Sequence, residues 1–346
     1  MDGVIEKRID QFNQLVMSQD IGKLPVGLFS GKMGLSIYFY HQARSTGDKL
    51  HKKFADTLLE SALSQLNAKS LISLEDGLIG ICLGLNYLVE KGFQTGNINY
   101  ILSELDDKIY HAAWFEHMKG HSNSPESLQS IIEIGLYFSF RLQNSNLGNN
   151  NRCLFESTVI KAINNIEGSY SYSEIFSEPP TYSSNQHPLA NYLYLLAIAY
   201  QLGFYNYKID KVIDEIYPKL ASFYPLLQSH RFQLQSSLRT LNAHLKRKSI
   251  DSYITRLEQG MDYRLMITTE FRNKNILLAN GLCGMYLVNS LLLKCGKLPT
   301  SILIDRIVQS ELWDDIAEDE VKLNATTGLF TGLAGVILIY QQLTSL

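Results

Sequence analysis

The sequence predicts an all-α fold, an α/α toroid of seven helical hairpins that forms one domain over residues 1–346. Three observations predict this fold. A Gly-x-x-Gly motif followed by apolar residues recurs along the chain, apolar segments alternate with amphipathic ones, and signals for β-strands are scarce. The best-matched copies, residues 27–34 (GLFSGKMG) and 328–335 (GLFTGLAG), lie near opposite ends of the chain. Their positions indicate a ring that closes on itself.

The motif defines a repeat. Copies begin at residues 31, 77, 130, 188, 281 and 332, so that most steps are 46–58 residues long. The copies at 130 and 188 have Ser130/Glu133 and Pro188/Asn191 in place of the two glycines. The step from 188 to 281 is 93 residues, about twice the usual length. A further copy that has lost its glycines is therefore expected near residue 234, as a helix over 234–244, which brings the count to seven.

Each repeat is predicted to be a pair of helices. The helix after the glycines is apolar nearly all round, so it has to be buried on all sides. The segments between the copies are amphipathic, with apolar residues at helical spacing on one face only. These apolar positions are Phe54, Leu58, Leu59, Ala62 and Leu63; Val212, Ile213, Ile216 and Leu220; and Ile250, Tyr253, Ile254 and Leu257.

The glycines of the motif are expected to allow close packing of the chain and not to bind a ligand. A phosphate-binding Gly-x-x-Gly loop needs a preceding strand and a Lys-Ser/Thr ending, and this sequence has neither. Glycines at the start of the inner helices instead permit tight turns and close approach of backbones.

Composition narrows the class of partner. The chain has 45% hydrophobic and 19% charged residues and a net charge of −3. It has no basic stripe, so nucleic acid is not an expected partner. Its apolar stretches are too short or interrupted for membrane insertion, and its start does not resemble a signal peptide. Its four cysteines, Cys82, Cys153, Cys283 and Cys295, show no close pairing and are expected to be free thiols. We therefore expect a cytoplasmic protein.

Five motifs recur in a fixed order along the chain. They are residues 27–34, 74–88 (LEDGLIGICLGLNYL), 134–138 (IGLYF) with Arg141-Leu142, 280–284 (NGLCG) and 328–335. In their number, order and spacing these motifs resemble the lanthionine synthetase C-like family, the lanthipeptide cyclases and their relatives, over nearly the whole chain. The resemblance implies a seven-fold α/α toroid. It also implies work on, or binding of, a ribosomally made peptide, with that peptide or a peptide-maturation enzyme as the partner.

The resemblance also implies where a metal would be held. Family cyclases bind zinc through a Cys in the fifth repeat and a Cys-His pair just before the Gly-x-x-Gly of the sixth. The zinc keeps a substrate cysteine as a thiolate, which adds to a dehydroamino acid. Here Ala279 and Asn280 stand at the Cys and His positions, and the fifth repeat contains no cysteine. We therefore expect no metal or other cofactor and no zinc-dependent cyclase activity, and leave open whether another activity remains.

Two residues are candidates for acid–base chemistry on the enolate that forms when a thiolate adds to a dehydroamino acid. Both are expected to face the same mouth of the toroid. His187 precedes the Pro188-x-x-Asn191 of the fourth repeat, where the family often has a histidine before the first glycine. Glu126 occupies a place where active cyclases can have an acid. Each also has an ordinary interpretation. His187 would then be a residue at a helix start, and Glu126 a first-turn acid favoured by the helix dipole.

Four further residues are expected to bind substrate at the mouth: Asn280, Asn191, Glu75 and Asp76. Glu75 and Asp76 are an adjacent acidic pair before the second repeat. Paired carboxylates would suit a glycosidase, but neighbouring residues at a helix start point apart, and helix capping explains them better.

Three functions remain open on the sequence alone. The first is a lanthionine synthetase C-like protein without the zinc site, which binds a peptide or a maturation enzyme at the toroid mouth. The second is an active cyclase with an atypical metal site made by His187, Cys283 and a carboxylate. The third is an α/α-toroid carbohydrate-active enzyme, which requires two facing carboxylates about 5–10 Å apart.

Overall fold

The computed structural model describes residues 2–67, 70–114, 125–143, 146–290, 298–317 and 326–344. Within these ranges the regular elements are helical, as predicted. The first eight α-helices are α1 (Asp2–Ser18), α2 (Lys32–Thr46), α3 (Lys49–Ser64), α4 (Leu78–Glu90), α5 (Ile98–Ala112), α6 (Pro125–Leu142), α7 (Asn149–Ser169) and α8 (Tyr172–Ile175). Those that follow are α9 (Pro188–Leu202), α10 (Asn206–Ser222), α11 (Gln228–Leu245), α12 (Lys248–Gln259), α13 (Tyr263–Thr269), α14 (Leu282–Val288), α15 (Thr300–Val308) and α16 (Leu333–Thr344).

The helices follow the predicted alternation. A helix accompanies each of the seven repeat starts: α2, α4, α6, α9, α11, α14 and α16. In the helices between them, α10 and α12 bury every apolar position that the sequence pattern assigned. In α3 the pattern is shorter than expected, because Leu63 at its end is 37% exposed.

The chain divides into two compact units. The first comprises Met1–Ile98, Phe271–Leu287 and Lys297–Leu346, and the second comprises Asn99–Glu270 and Val288–Gly296. The first unit therefore combines both ends of the chain, whereas the second is nearly continuous in sequence. The single-domain organisation stays a prediction.

Helix α1 belongs to the first unit, and the repeat pattern did not reveal it. The ring of Phe12 packs edge-to-face on Tyr38 of α2, with centroids 5.6 Å apart. The Tyr38 hydroxyl donates a hydrogen bond of 2.6 Å to the Asn13 side chain. At the other side, Arg8 donates to the backbone carbonyl of Val308, at the end of α15. Helix α1 thus covers α2 and reaches the last residue of α15.

The motif glycines allow backbones to approach closely, as predicted. A Cβ atom on Gly34 would lie 2.2 Å from the Leu28 carbonyl oxygen and 2.7 Å from the Leu329 Cβ. A Cβ on Gly80 would lie 2.1 Å from the Leu74 carbonyl oxygen and 2.9 Å from the Leu28 Cβ. Separations below 3.0 Å are sterically forbidden, so space and not backbone handedness requires glycine at these positions.

Backbone hydrogen bonds join the four glycine loops of the first unit in series. Each bond connects the residue two positions before the first glycine of one repeat to its equivalent in the next. Ala279 N–H donates to the Phe330 carbonyl (2.9 Å), Phe330 N–H donates to Phe29 (2.9 Å), and Phe29 N–H donates to Glu75 (3.0 Å). The rings of Phe29 and Phe330 also stack, with centroids 4.4 Å apart. We call this arrangement the loop series; it brings the first and last repeats into direct contact.

The second unit has its own tight helix contacts. A Cβ on Gly135 of α6 would lie 2.8 Å from the Leu195 side chain of α9 and 3.3 Å from Ala162 of α7. Near the end of α6, Arg141 makes a buried ion pair of 2.8 Å with Asp106 of α5. Burial raises the pKa of the Asp106 carboxyl, and the Arg141 charge opposes that rise. This pair ties α5 to α6.

Helix α11 is the glycine-free copy that the spacing predicted near residue 234. It differs from the other inner helices because many of its buried side chains are polar. These are Ser229, His230, Gln233, Gln235, Ser236, Ser237 and Asn242. Polar side chains at such positions need hydrogen-bond partners, and several of them bind the segment that precedes α9.

Within the described ranges, no helix combines the length and the apolarity that crossing a bilayer requires.

Substituting Gly34→Ala is expected to lower the free energy of unfolding by about 2–3 kcal/mol, because the added methyl meets backbone that cannot move independently. Gly168→Ala in α7 is the matched control, since a Cβ there meets no atom within 4 Å. The Gly168→Ala substitution should be neutral or slightly stabilising, because alanine has a higher helix propensity than glycine. Urea unfolding of both variants measures the difference, and equal effects would contradict the packing role.

Candidate functional site

His187 is fixed at the start of α9. Its backbone is extended, as the residue before a proline prefers, and Pro188 supplies the first helical position. The imidazole Nδ1 accepts a hydrogen bond of 3.3 Å from the Ala190 N–H, so His187 is the N-cap of the helix. Its side chain is fully buried. His187 therefore has the structural role that its ordinary interpretation predicted, that of a residue at a helix start.

The cap also fixes the tautomer of His187. A backbone N–H can only donate, so Nδ1 carries the lone pair and Nε2 carries the proton. Among the described residues Nε2 has no hydrogen-bond partner. Burial, and secondarily the nearby His230, lowers the pKa of His187 to about 3. At neutral pH the residue is therefore a neutral imidazole with one free N–H donor.

A second buried histidine, His230 of α11, packs against His187. The two rings meet edge-to-face with centroids 5.1 Å apart. His230 Nε2 donates to the Thr181 carbonyl at 3.3 Å, and Nδ1 lies 3.2 Å from a Glu178 carboxylate oxygen. We call His187, His230 and Glu178 the histidine cluster.

Residues 176–187 form a covering segment that is held against α11 and α9. Besides the two contacts of His230, the Gln233 side chain donates to the Ser184 carbonyl at 3.0 Å. The Asn191 amide donates to the Asn185 carbonyl at 2.7 Å, and Glu178 accepts from the Leu226 N–H at 3.1 Å. The imidazoles of His187 and His230 are both 0% exposed, whereas the Glu178 side chain is 20% exposed.

Other polar atoms on α11 are buried without a hydrogen-bond partner among the described residues. They are the Ser229 hydroxyl and the side-chain carbonyls of Gln233 and Gln235. Unpaired buried polar groups cost free energy unless water or a ligand satisfies them. The amino-terminal half of α11 therefore contains buried polar groups in addition to those that bind the covering segment.

Glu126 lies in the first turn of α6, where its side chain is exposed and suits the helix dipole. Its carbonyl accepts a hydrogen bond of 2.9 Å from the Ser130 hydroxyl, one turn later. The described contacts of His187 do not include Glu126. Their joint position at one mouth stays a prediction.

In the first unit, Glu75 and Asp76 belong to the loop series. The Glu75 carbonyl accepts the Leu28 and Phe29 N–H groups at 2.9 and 3.0 Å. Asp76 accepts a hydrogen bond of 3.0 Å from the Ser30 hydroxyl. Ser30 and Asp76 both stand one position before the first glycine of their repeats, as Asn280 does in the sixth. The acidic pair therefore helps to join the first two repeats.

Ala279 and Asn280 lie in the loop before α14, where the resemblance predicted metal ligands. Ala279 is held by its N–H bond to Phe330, and the Asn280 side chain is exposed. Cys283 lies inside α14, fully buried, and burial raises the pKa of its thiol. The residues that the structure describes contain no group of three or more His, Cys, Asp or Glu side chains able to hold a metal ion. Cys295 lies outside the described residues.

Comparison with known proteins gives one informative result. No protein-family model matches the sequence, and a search of curated proteins finds no match. Among solved structures, nisin cyclase is similar, with a TM-score of 0.65 and 17% sequence identity over 100% of this chain and 95% of that chain. The chain has the nisin cyclase fold. This fold is an α/α toroid, which confirms the predicted fold class. The resemblance to the lanthionine synthetase C-like family therefore extends from motifs to three-dimensional structure.

On the nisin cyclase fold, the sequence-predicted residues divide between the two units. Glu75, Asp76 and Asn280 lie in the loops of the first unit, and Glu126, His187 and Asn191 lie in the second. Sequence reasoning missed His230 and Glu178, the two residues that complete the histidine cluster. The signal available in the sequence was a run of polar residues in a helix that the repeat spacing required to be buried.

We expect the free energy of unfolding to fall as the pH is lowered from about 6.5 toward 3. In this range the unfolded chain binds a proton at His187 and the folded chain does not, which contributes up to about 1.4 kcal/mol per pH unit. The variant His187→Asn keeps a helix-capping side chain and removes this contribution. Urea unfolding between pH 7 and 4 measures both slopes, and identical slopes would show that His187 is not held neutral.

The variant His230→Phe is expected to loosen the covering segment. It keeps an aromatic ring against His187 but removes the bonds to Thr181 and Glu178, at a cost of about 2–3 kcal/mol. Hydrogen–deuterium exchange should become faster over residues 176–187. His244→Phe, at an exposed position of the same helix, is the control. Unchanged exchange in His230→Phe would contradict the role assigned to His230.

Proposed function

We propose that this protein is a lanthionine synthetase C-like component of a peptide-modification pathway. It binds a ribosomally made peptide, or a peptide-maturation enzyme, at the mouth of the toroid, and it lacks zinc-dependent cyclase activity. One observation carries the proposal: the likeness to nisin cyclase extends over the whole chain and over 95% of the other protein. A likeness of this extent supports a related task better than it supports reuse of a small common motif.

The residues at the expected zinc positions support the absence of cyclase chemistry. The methyl group of Ala279 offers no metal ligand, and the carboxamide of Asn280 is a poor substitute for imidazole. The alternative of an atypical metal site relied on Cys283. A thiol binds metal as the thiolate, and burial disfavours that form of Cys283. The complete burial of Cys283 inside α14 therefore weighs against this alternative.

The state of His187 suggests how a peptide would be recognised. A neutral imidazole with a free Nε2–H can donate a hydrogen bond to a peptide carbonyl without transferring a proton. Because His187 is fully buried, residues 176–186 of the covering segment would move for a peptide to reach this donor. The hydrogen bonds of the segment to His230, Gln233 and Asn191 then determine the free energy needed to displace it.

The carbohydrate-active alternative gains no specific support. It drew on the acidic pair Glu75 and Asp76. These residues hold the first two glycine loops together through the Glu75 carbonyl and the Asp76–Ser30 hydrogen bond. That role accounts for the pair without a sugar substrate.

Isothermal titration calorimetry with precursor peptides encoded beside this gene tests the binding proposal. We expect saturable binding, weakened about tenfold in His187→Asn because one hydrogen bond to the peptide is lost. Tyr207→Ala, at an exposed position of α10, should bind as the unaltered protein does. Failure of every such peptide to bind would count heavily against the proposal.

Metal analysis tests the second part of the proposal. The purified protein, incubated with zinc and then freed of excess metal, should retain well below one zinc per chain. It should also leave the thiols of a dehydrated, cysteine-containing peptide unconsumed. Stoichiometric zinc together with thiol loss would instead establish a cyclase with an atypical site.

A further inference from the structure

Lys32 breaks the pattern of the repeats. It is the first residue after the first glycine of its motif, and the equivalent residues of the other three glycine repeats are Leu78, Leu282 and Leu333. All four side chains are buried, and that of Lys32 is 0% exposed. A lysine therefore occupies a core position that the chain otherwise fills with leucine.

Among the described residues, the ammonium group of Lys32 has no hydrogen-bond partner. Burial lowers the pKa of Lys32, and the charge of Asp20 only partly opposes this effect. An ammonium group buried without a hydrogen-bond partner is unfavourable unless water or a ligand satisfies it.

The position of Lys32 in α2 increases this cost. Lys32 is the first residue of a helix of 15 residues, at the end that carries partial positive charge. Side chains of a helix tilt toward its amino terminus, so the lysine points to the positive end of its own helix. The first three N–H groups of α2 donate to the carbonyls of residues 25–27, which leaves the ammonium as the donor without a partner.

We propose that Lys32 and the amino-terminal end of α2 bind a small oxyanion, such as a carboxylate or phosphate. An oxyanion accepts hydrogen bonds from the ammonium, and the partial positive charge at the helix end favours it. The leucines at the equivalent positions restrict this site to the first repeat. The site goes beyond the proposed peptide binding, because it involves none of the residues of the histidine cluster.

Thermal unfolding in increasing acetate or inorganic phosphate, with sodium chloride at matched ionic strength as reference, tests the site. The unaltered protein should show a saturable rise in Tm of about 2–4 °C with one of the two anions. Lys32→Leu restores the residue of the other repeats and should abolish the rise, whereas Lys32→Arg should keep it. Lys49→Leu, at the exposed first position of α3, is the control and should behave as the unaltered protein.

The two anions separate the possible sources of the ligand. A response to acetate assigns a carboxylate, and a response to phosphate alone assigns a phosphate. Equal responses of the unaltered protein and Lys32→Leu, or no response in either, would overturn the proposal. Lys32→Met provides a second variant with an unbranched apolar side chain. The test does not involve peptide binding, so its outcome is independent of the proposed function.

Discussion

Three backbone hydrogen bonds between equivalent residues of successive repeats hold the first unit together. They connect Ala279, Phe330, Phe29 and Glu75 in series, and they form only because the neighbouring glycines let one loop lie directly against the next. Buried backbone donors and acceptors need partners, and here each loop supplies the partner of the following one. The inner helices α2, α4, α14 and α16 begin from these loops, so the loop series also sets where each helix starts.

Because backbone atoms make these bonds, the side chains at the same positions are free to differ. At this position the rings of Phe29 and Phe330 stack on each other, whereas Ala279 carries only a methyl group. One residue later, Ser30 and Asp76 form a hydrogen bond, and Asn280 is exposed. The residues that these loops present can therefore change while the framework stays intact. This separation fits a likeness to nisin cyclase that covers the full chain at only 17% sequence identity.

Much of the fold could be read from the sequence because the repeats are periodic. Glycine spacing and apolar periodicity located the inner helices, and the doubled step between repeats located α11. Helix α1 was missed because it has no glycine marker, and its role depends on contacts of Phe12 and Asn13 with α2. In the candidate site, the position of His187 was visible from its register. The partnership of His230 with Glu178 was not, because it joins residues 52 positions apart through a helix without the repeat signature.

The division of the chain also orders its folding during synthesis. The second unit is almost continuous, so its residues leave the ribosome together and can pack as soon as Glu270 has emerged. The first unit has to wait, because Phe29 stacks on Phe330 and Arg8 bonds to Val308, each about 300 residues later. Closing such long separations is slow, and apolar loop residues such as Leu28 and Phe29 stay uncovered meanwhile. During synthesis the chain is therefore most exposed to aggregation around Leu28 and Phe29, where a chaperone would have most to protect.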